Sequence, residues 1–157
     1  MIRRATIVAV GVVKGWAADG VDDYLRRLRH FFSVEIVEVQ EEDLNRRLPE
    51  EVLSAEGTKL LRRVPAGAYV IALDREKGEP LSSEKLARRL DSLGVSGRSH
   101  VVFILGGSLG LSPEVLGRTD ALVSFGPITL PHALARVVLL EQLYRATKIN
   151  RREKYHY

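Results

Sequence analysis

The sequence predicts a single α/β domain, residues 1–157, built on a largely parallel sheet. Short β-branched apolar runs recur along the chain, helical patterns fill the intervals between them, and glycine-rich turns follow two of the later runs. At 157 residues with 45% hydrophobic and 28% charged residues, the chain can bury a core of its own and has the profile of a globular protein rather than a disordered or membrane one. With no cysteine, disulfides and thiolate metal sites are excluded, and a cytoplasmic setting is expected.

The first run, 5–10, reads ATIVAV. Arg3 and Arg4 ahead of it imitate the start of a signal peptide, but Gly11 and Lys14 break an apolar stretch far too short to span a bilayer, so it is read as a strand. A helix is predicted over 19–32, with Tyr24, Leu25, Leu28, Phe31 and Phe32 to one side and Arg26, Arg27 and Arg29 elsewhere. Strand 34–39 follows, then the polar stretch 40–48, read as a loop. Helix 49–63 opens on Pro49-Glu50-Glu51, where proline is pre-set for the first turn and the acids complement the dipole.

Strand 69–74 precedes a third helix that starts at Ser82 and Ser83, turns Leu86 and Leu90 inward, and is expected to stop at Gly94. Strand 101–105 runs into Gly106-Gly107-Ser108-Leu109-Gly110, a short helix follows Ser112-Pro113, and strand 121–124 leads into a long helix over 131–149. Leu134, Val137, Val138, Leu139, Leu140, Leu143 and Tyr144 make that last helix apolar nearly all round, so it needs cover on more than one side. A homodimer is expected, the alternative cover being another helix of the same chain.

Three loops therefore fall at the carboxyl ends of strands: after Leu73, at Gly106–Gly110, and along Phe125-Gly126-Pro127-Ile128-Thr129-Leu130. That edge is where open α/β sheets bind ligands. Two prolines, Pro127 and Pro131, flank the third loop, so its backbone groups cannot all pair within regular structure, and an adenine fits backbone amides between Phe125, Ile128 and Leu130. The glycine spacing is not GxGxxG and no ribose-binding acid follows, which argues against a dinucleotide enzyme. His30, His100, His132 and His156 lack ligand spacing, so no metal is expected. His132 begins the last helix with Arg136 one turn on, and the tail RREKYHY interleaves Tyr155 and His156 with cations, a pattern suited to stacking on a base and holding phosphates. The net charge of +4 is compatible with a nucleic-acid partner.

ILGGSLGLSP, then ITLPHALARVVLLEQLYRATKI, then YH near the terminus closely resemble the small SPOUT-class methyltransferases that modify N3 of a pseudouridine in large-subunit ribosomal RNA. The likeness extends over essentially the whole chain, including IVAVG and the ALDxxG-like stretch from Leu73 to Gly78. It implies a parallel sheet with helices on both faces, a C-terminal trefoil knot, a homodimer, and S-adenosylmethionine held by Leu73, Gly106 and Phe125, Gly126, Pro127, Ile128, Thr129 and Leu130. The implied substrate is ribosomal RNA within the assembled ribosome. Because N3 carries a proton at neutral pH, a base is needed: His156 is the first candidate and His132 the second, with Tyr155 to stack the target ring and Arg136 to contact phosphate or carboxylate. A non-catalytic ribosome-binding factor is the rival reading.

Overall fold

The computed structural model describes residues 1–155. Six strands, β1 (Arg4–Val10), β2 (Ser33–Val39), β3 (Tyr69–Leu73), β4 (Glu79–Pro80), β5 (His100–Leu105) and β6 (Ala121–Ser124), form one parallel sheet in the order β2-β1-β5-β3-β6-β4. Among the described residues five helices cover it: α1 (Trp16–Leu28), α2 (Pro49–Leu61), α3 (Ser83–Val95), α4 (Pro113–Arg118) and α5 (His132–Asn150). Alternate residues of each central strand point to opposite layers, as a period of two demands. Ile7, Ile71, Val101 and Phe103 join the layer of α1, α3 and α5, while Val8, Val10, Val70, Val102 and Ile104 join that of α2 and α4. Both faces are buried, which is why these strands read as continuous apolar runs.

The helix ends follow local chemistry. Ser82 and Ser112 cap α3 and α4 by accepting from the N–H groups of Lys85 and Val115, and Pro49 and Pro113 occupy first-turn positions where no N–H is required. Several boundaries differ from the sequence reading, α2 among them, which ends at Leu61. Helix α1 starts at Trp16, behind Gly15 at φ 66°, and ends at Leu28, so Phe31 and Phe32 lie beyond it. Helix α3 continues through Gly94 to Val95. That glycine is needed because the backbone of Met1 lies where a side chain would stand, not because the helix stops there. Strand β4 was not foreseen.

Strand β4 decides the topology of the site. Strand β6 pairs with β3 on one side and β4 on the other, so the strap 74–78 that joins those two strands crosses the carboxyl end of β6. Asp74 N–H donates to Val123 O, Leu81 N–H to Ser124 O and Ser124 Oγ to Arg75 O, which fastens the strap on both sides. Any Cβ on Gly78 would strike the Val123 carbonyl, so only glycine lets the strap lie this close. The chain that leaves Ser124 therefore starts from beneath a closed strap before it reaches α5, which packs between α1 and α3. This arrangement is consistent with the trefoil knot that the resemblance implies. Two neighbouring helices and the sheet cover α5, leaving Leu134, Val138, Glu141 and Arg145 half-buried along one stripe.

Candidate cofactor site

The three loops singled out by the sequence meet at the carboxyl edge of β1, β3, β5 and β6 and enclose a cavity of about 760 Å³. Leu73 closes its inner end. Gly106 to Gly110 form one wall, and Phe125, Gly126, Ile128, Thr129 and Leu130 the other. Pro127 is in the same loop but does not line the cavity: its carbonyl accepts from Arg75 Nη1 at 3.1 Å, tying the loop to the strap. Gly126, at φ 101°, donates its N–H to Ser124 Oγ and turns the chain sharply out of β6. The N–H groups of Ile128, Thr129 and Leu130 have no partner among the described residues, so they are free for a ligand.

The glycine wall is as tightly held as it is bare. A Cβ on Gly106 would meet the Gly110 carbonyl, and one on Gly107 would stand 3.0 Å from Glu56 Oε1 and 3.2 Å from Val10 Cγ1. Glu56 comes from α2, is 3% exposed, and accepts the Glu42 N–H at 3.0 Å through Oε2, while Oε1 has no hydrogen-bond partner among the described residues. Burial pushes this carboxyl above its ordinary value, with the Glu41 and Glu42 carboxylates adding to the rise and the Glu42 N–H opposing it. Glu41 reaches the cavity from the stretch that follows β2.

Several residues were not foreseen as lining the cavity: Glu41, Arg75 and Glu76 stand on its rim, and Val10 and Ala135 on its floor and side. Glu41 belongs to the polar stretch read as an excursion, and the only signal was that β2 must deliver its carboxyl end to the same edge as β1. Arg75 and Glu76 follow directly on Leu73, and the strap brings them over the cavity.

The candidate chemical residues separate. His132 lines the cavity at the start of α5, its ring packed on Gly11. Arg136, one turn on, is 1% exposed and does not line the cavity. Its Nη1 is paired with Glu38 and its Nη2 donates to the carbonyls of Val10 and Gly11, so it fastens α5 to β1 and β2 and is not open to a phosphate. Helix α5 carries 19 residues, about 28 Å, and Tyr155 lies past its far end. There the Tyr155 hydroxyl donates to Glu141 at 3.3 Å and its ring packs edge-on against Tyr144, under Arg145. Burial holds the phenol far above its usual range, with Tyr24 and Glu141 adding to the effect. His156 lies outside the described residues.

A crevice of this size, with backbone donors on one wall, apolar side chains between them and a glycine wall that admits close approach, fits an adenosine with a short charged chain. Among the described residues no group of His, Asp and Glu is placed to hold a metal ion, and no helix is long and apolar enough to cross a membrane. A parallel sheet with a strapped loop and a ligand cavity at its carboxyl edge is the arrangement that the resemblance to SPOUT-class methyltransferases leads one to expect, and the family comparison agrees on the class. Residues 3–156 match the family described as Predicted SPOUT methyltransferase, and the chain belongs to that family.

Among its relatives, the chain is 65% identical over 158 residues to Ribosomal RNA large subunit methyltransferase H of Rubrobacter xylanophilus, covering 100% of each chain. It is 44% identical over 160 residues to the protein of the same name from Alkaliphilus oremlandii, covering 96% of this chain and 98% of that one. Solved structures share the fold at low identity. The TrmH/SpoU tRNA modifying enzyme of A. aeolicus aligns with a TM-score of 0.51 at 16% identity over 93% of this chain and 76% of its own. A Legionella pneumophila methyltransferase in complex with SAM gives a TM-score of 0.51 at 14% identity over 93% of this chain and 66% of its own.

Proposed function

We propose that this protein transfers the methyl group of S-adenosylmethionine to N3 of a pseudouridine in large-subunit ribosomal RNA, acting in the cytoplasm as a homodimer on the assembled ribosome. The observation that carries the reading is the strapped cavity with three unpaired backbone N–H groups at Ile128, Thr129 and Leu130, in a chain 65% identical along its full length to a ribosomal RNA large subunit methyltransferase. Those amides and the Gly106–Gly110 wall bind the cofactor, and Leu73 and Phe125 close on its apolar surfaces. With Arg75 paired to Glu76, Glu41 and Asp74 leave the rim net acidic, which favours a ligand carrying positive charge.

When bound, the cofactor supplies an electrophilic methyl group on a sulfonium. The protein's share is orientation and proton removal: N3 must lose its proton as the new N–C bond forms and the S–C bond breaks. His132 stands in the cavity wall and can take that proton directly or through water. His156 is assigned the same role as the first candidate, with Tyr155 beside it. The Tyr155 phenol is held protonated at neutral pH, so it is not the base, and its engaged ring and hydroxyl fix the point from which the chain continues to His156. Arg136 contributes by fixing the start of α5, and with it His132, against β1.

The test is transfer of labelled methyl to free large-subunit RNA, isolated large subunits and assembled ribosomes, followed by mapping of the labelled base. Label at one pseudouridine of assembled ribosomes is expected. No label on any of them, with no cofactor bound, would leave the reading of a ribosome-binding factor in its place. His156→Ala is expected to lower the methylation rate at neutral pH by about a hundredfold and to flatten the pH profile. An unchanged rate across pH would remove His156 from proton transfer.

A further inference from the structure

In a parallel α/β sheet every strand starts, and every connecting helix ends, at one edge. In this protein that edge is opposite the cavity. Basic residues collect there. Arg29 follows α1, Arg62 and Arg63 follow α2, Arg3 precedes β1 and Arg98 precedes β5. All five are exposed and none has a carboxylate partner among the described residues. Arg152 and Lys154, past the end of α5, share the same end of the molecule and are likewise without one. Among the described residues, the remaining cations without such a partner are Lys14, Lys77 and Arg88, each set apart from this edge.

The acids at this edge are already engaged. Glu35 is held by Arg4, Asp120 by Arg118, Asp91 by the amino terminus, and Glu153 by Lys148 and Arg151. Among the described residues, the cations at this edge therefore have no free carboxylate to answer them. Complementing helix dipoles accounts for Arg29 and Arg62, which cap the carboxyl ends of α1 and α2, but not for Arg3 or Arg98, which precede strands. The cluster is also continuous. The Arg3 N–H donates to Ser99 O and its carbonyl accepts from Ser33 N–H, and the Arg98 guanidinium lies 5.6 Å from the centre of the Tyr69 ring at the start of β3. Four adjacent strands, β2 to β3, set these groups along about 14 Å of edge, enough to meet several phosphates of one RNA segment.

We propose that this arginine edge is a second RNA contact, distinct from the cofactor cavity, which grips the phosphate backbone of a ribosomal RNA segment away from the base to be methylated. Arginine suits that task because its planar fork matches phosphate oxygens. The edge would give this domain a two-point grip on a folded RNA surface. The assignment of ribosomal RNA as the ligand rests on the proposed function. The charge segregation does not.

The test is the charge-reversed variant Arg62→Glu/Arg63→Glu/Arg98→Glu, compared with the wild-type protein and with Arg62→Lys/Arg63→Lys/Arg98→Lys. Five quantities are read: KM and kcat for methyl transfer to ribosomes, cofactor affinity by calorimetry, thermal midpoint, and the salt dependence of binding to purified large subunits and ribosomes. Charge reversal is expected to raise KM at least tenfold, leave kcat and cofactor affinity unchanged, and make the slope of log affinity against log salt shallower by about 2 to 3. The lysine variant should recover most of the affinity. A folded charge-reversed protein with unchanged KM and salt slope would overturn the proposal. If it does not fold, the single variants Arg63→Glu and Arg98→Glu read the same slope, each shallower by about 1 if the edge binds phosphate and unchanged if it does not. If the wild-type protein transfers no methyl group, the functional reading fails on its own, and the salt slope for particle binding still decides whether this edge holds RNA.

Discussion

Glu56 places a carboxyl group where water cannot reach it, directly behind the wall of the cofactor cavity. With Oε1 unpartnered, the ionised form is disfavoured, so the native protein keeps a proton on Glu56 at pH values where the unfolded chain, titrating near 4.5, has released it. Between 4.5 and the raised folded value the native state binds more protons than the unfolded state, and this group's contribution to stability falls as pH rises through that window. Glu56→Gln does not titrate. Its melting temperature relative to wild type is expected to climb from pH 4.5 toward neutrality, whereas a gap that stays constant would mean Glu56 is not the source. The same contact explains Gly107. A methyl group there would stand 3.0 Å from Glu56 Oε1, so Gly107→Ala is expected to push the wall into the cavity and weaken S-adenosylmethionine binding by about tenfold in a calorimetric titration.

At the level of elements, α5 is fixed at its amino end by one buried guanidinium. Arg136 answers Glu38 of β2 and the carbonyls of Val10 and Gly11 at the end of β1, and Glu38 also accepts the Val13 N–H. Arg136→Met keeps the volume but strands those acceptors, so urea titration is expected to show a loss of about 3 kcal/mol. A loss below about 1 kcal/mol would make the clamp incidental. The sequence could not reveal this clamp. His132 and Arg136 share a helical face by spacing, yet the turn between them passes from the cavity wall to a position beneath β1. The long strands were readable because both of their faces are apolar, and the three loops because parallel strands must deliver their carboxyl ends to one edge. Strand β4 was not, because Glu79-Pro80 carries no pattern and becomes a strand only by lying beside β6. Helix α1 was read three residues late because the apolar face that marks it begins further along, and Trp16 at its start is 69% exposed and adds nothing to that face. Tyr155 looked like a mobile stacking residue, and nothing local in RREKYHY told that it folds back on Tyr144 and Glu141.

Across the whole molecule, the cavity and the end of α5 stand about 28 Å apart, which limits how the tail can take part in catalysis. Tyr155 is pinned at the far end by Glu141, Tyr144 and Arg145, and His156 is the next residue of the chain, a single step of about 4 Å from that anchor. If His156 serves the reaction, it serves a cavity on a second copy, with the half-buried stripe of Leu134 and Val138 on α5 as the seam between them. Light scattering is expected to give a dimer at micromolar concentration, and Val138→Glu to shift it toward monomer. Two inactive variants then decide the arrangement: His156→Ala, which keeps its cavity, and Thr129→Trp, which fills the cavity and keeps its tail. Co-expressed with different tags and purified through both, the mixed dimer pairs one intact cavity with the intact tail of its neighbour and is expected to recover about half the wild-type rate. A tail that served its own cavity would leave both sites of that dimer dead, so a mixed dimer without activity would return His156 to its own subunit or remove it from the chemistry.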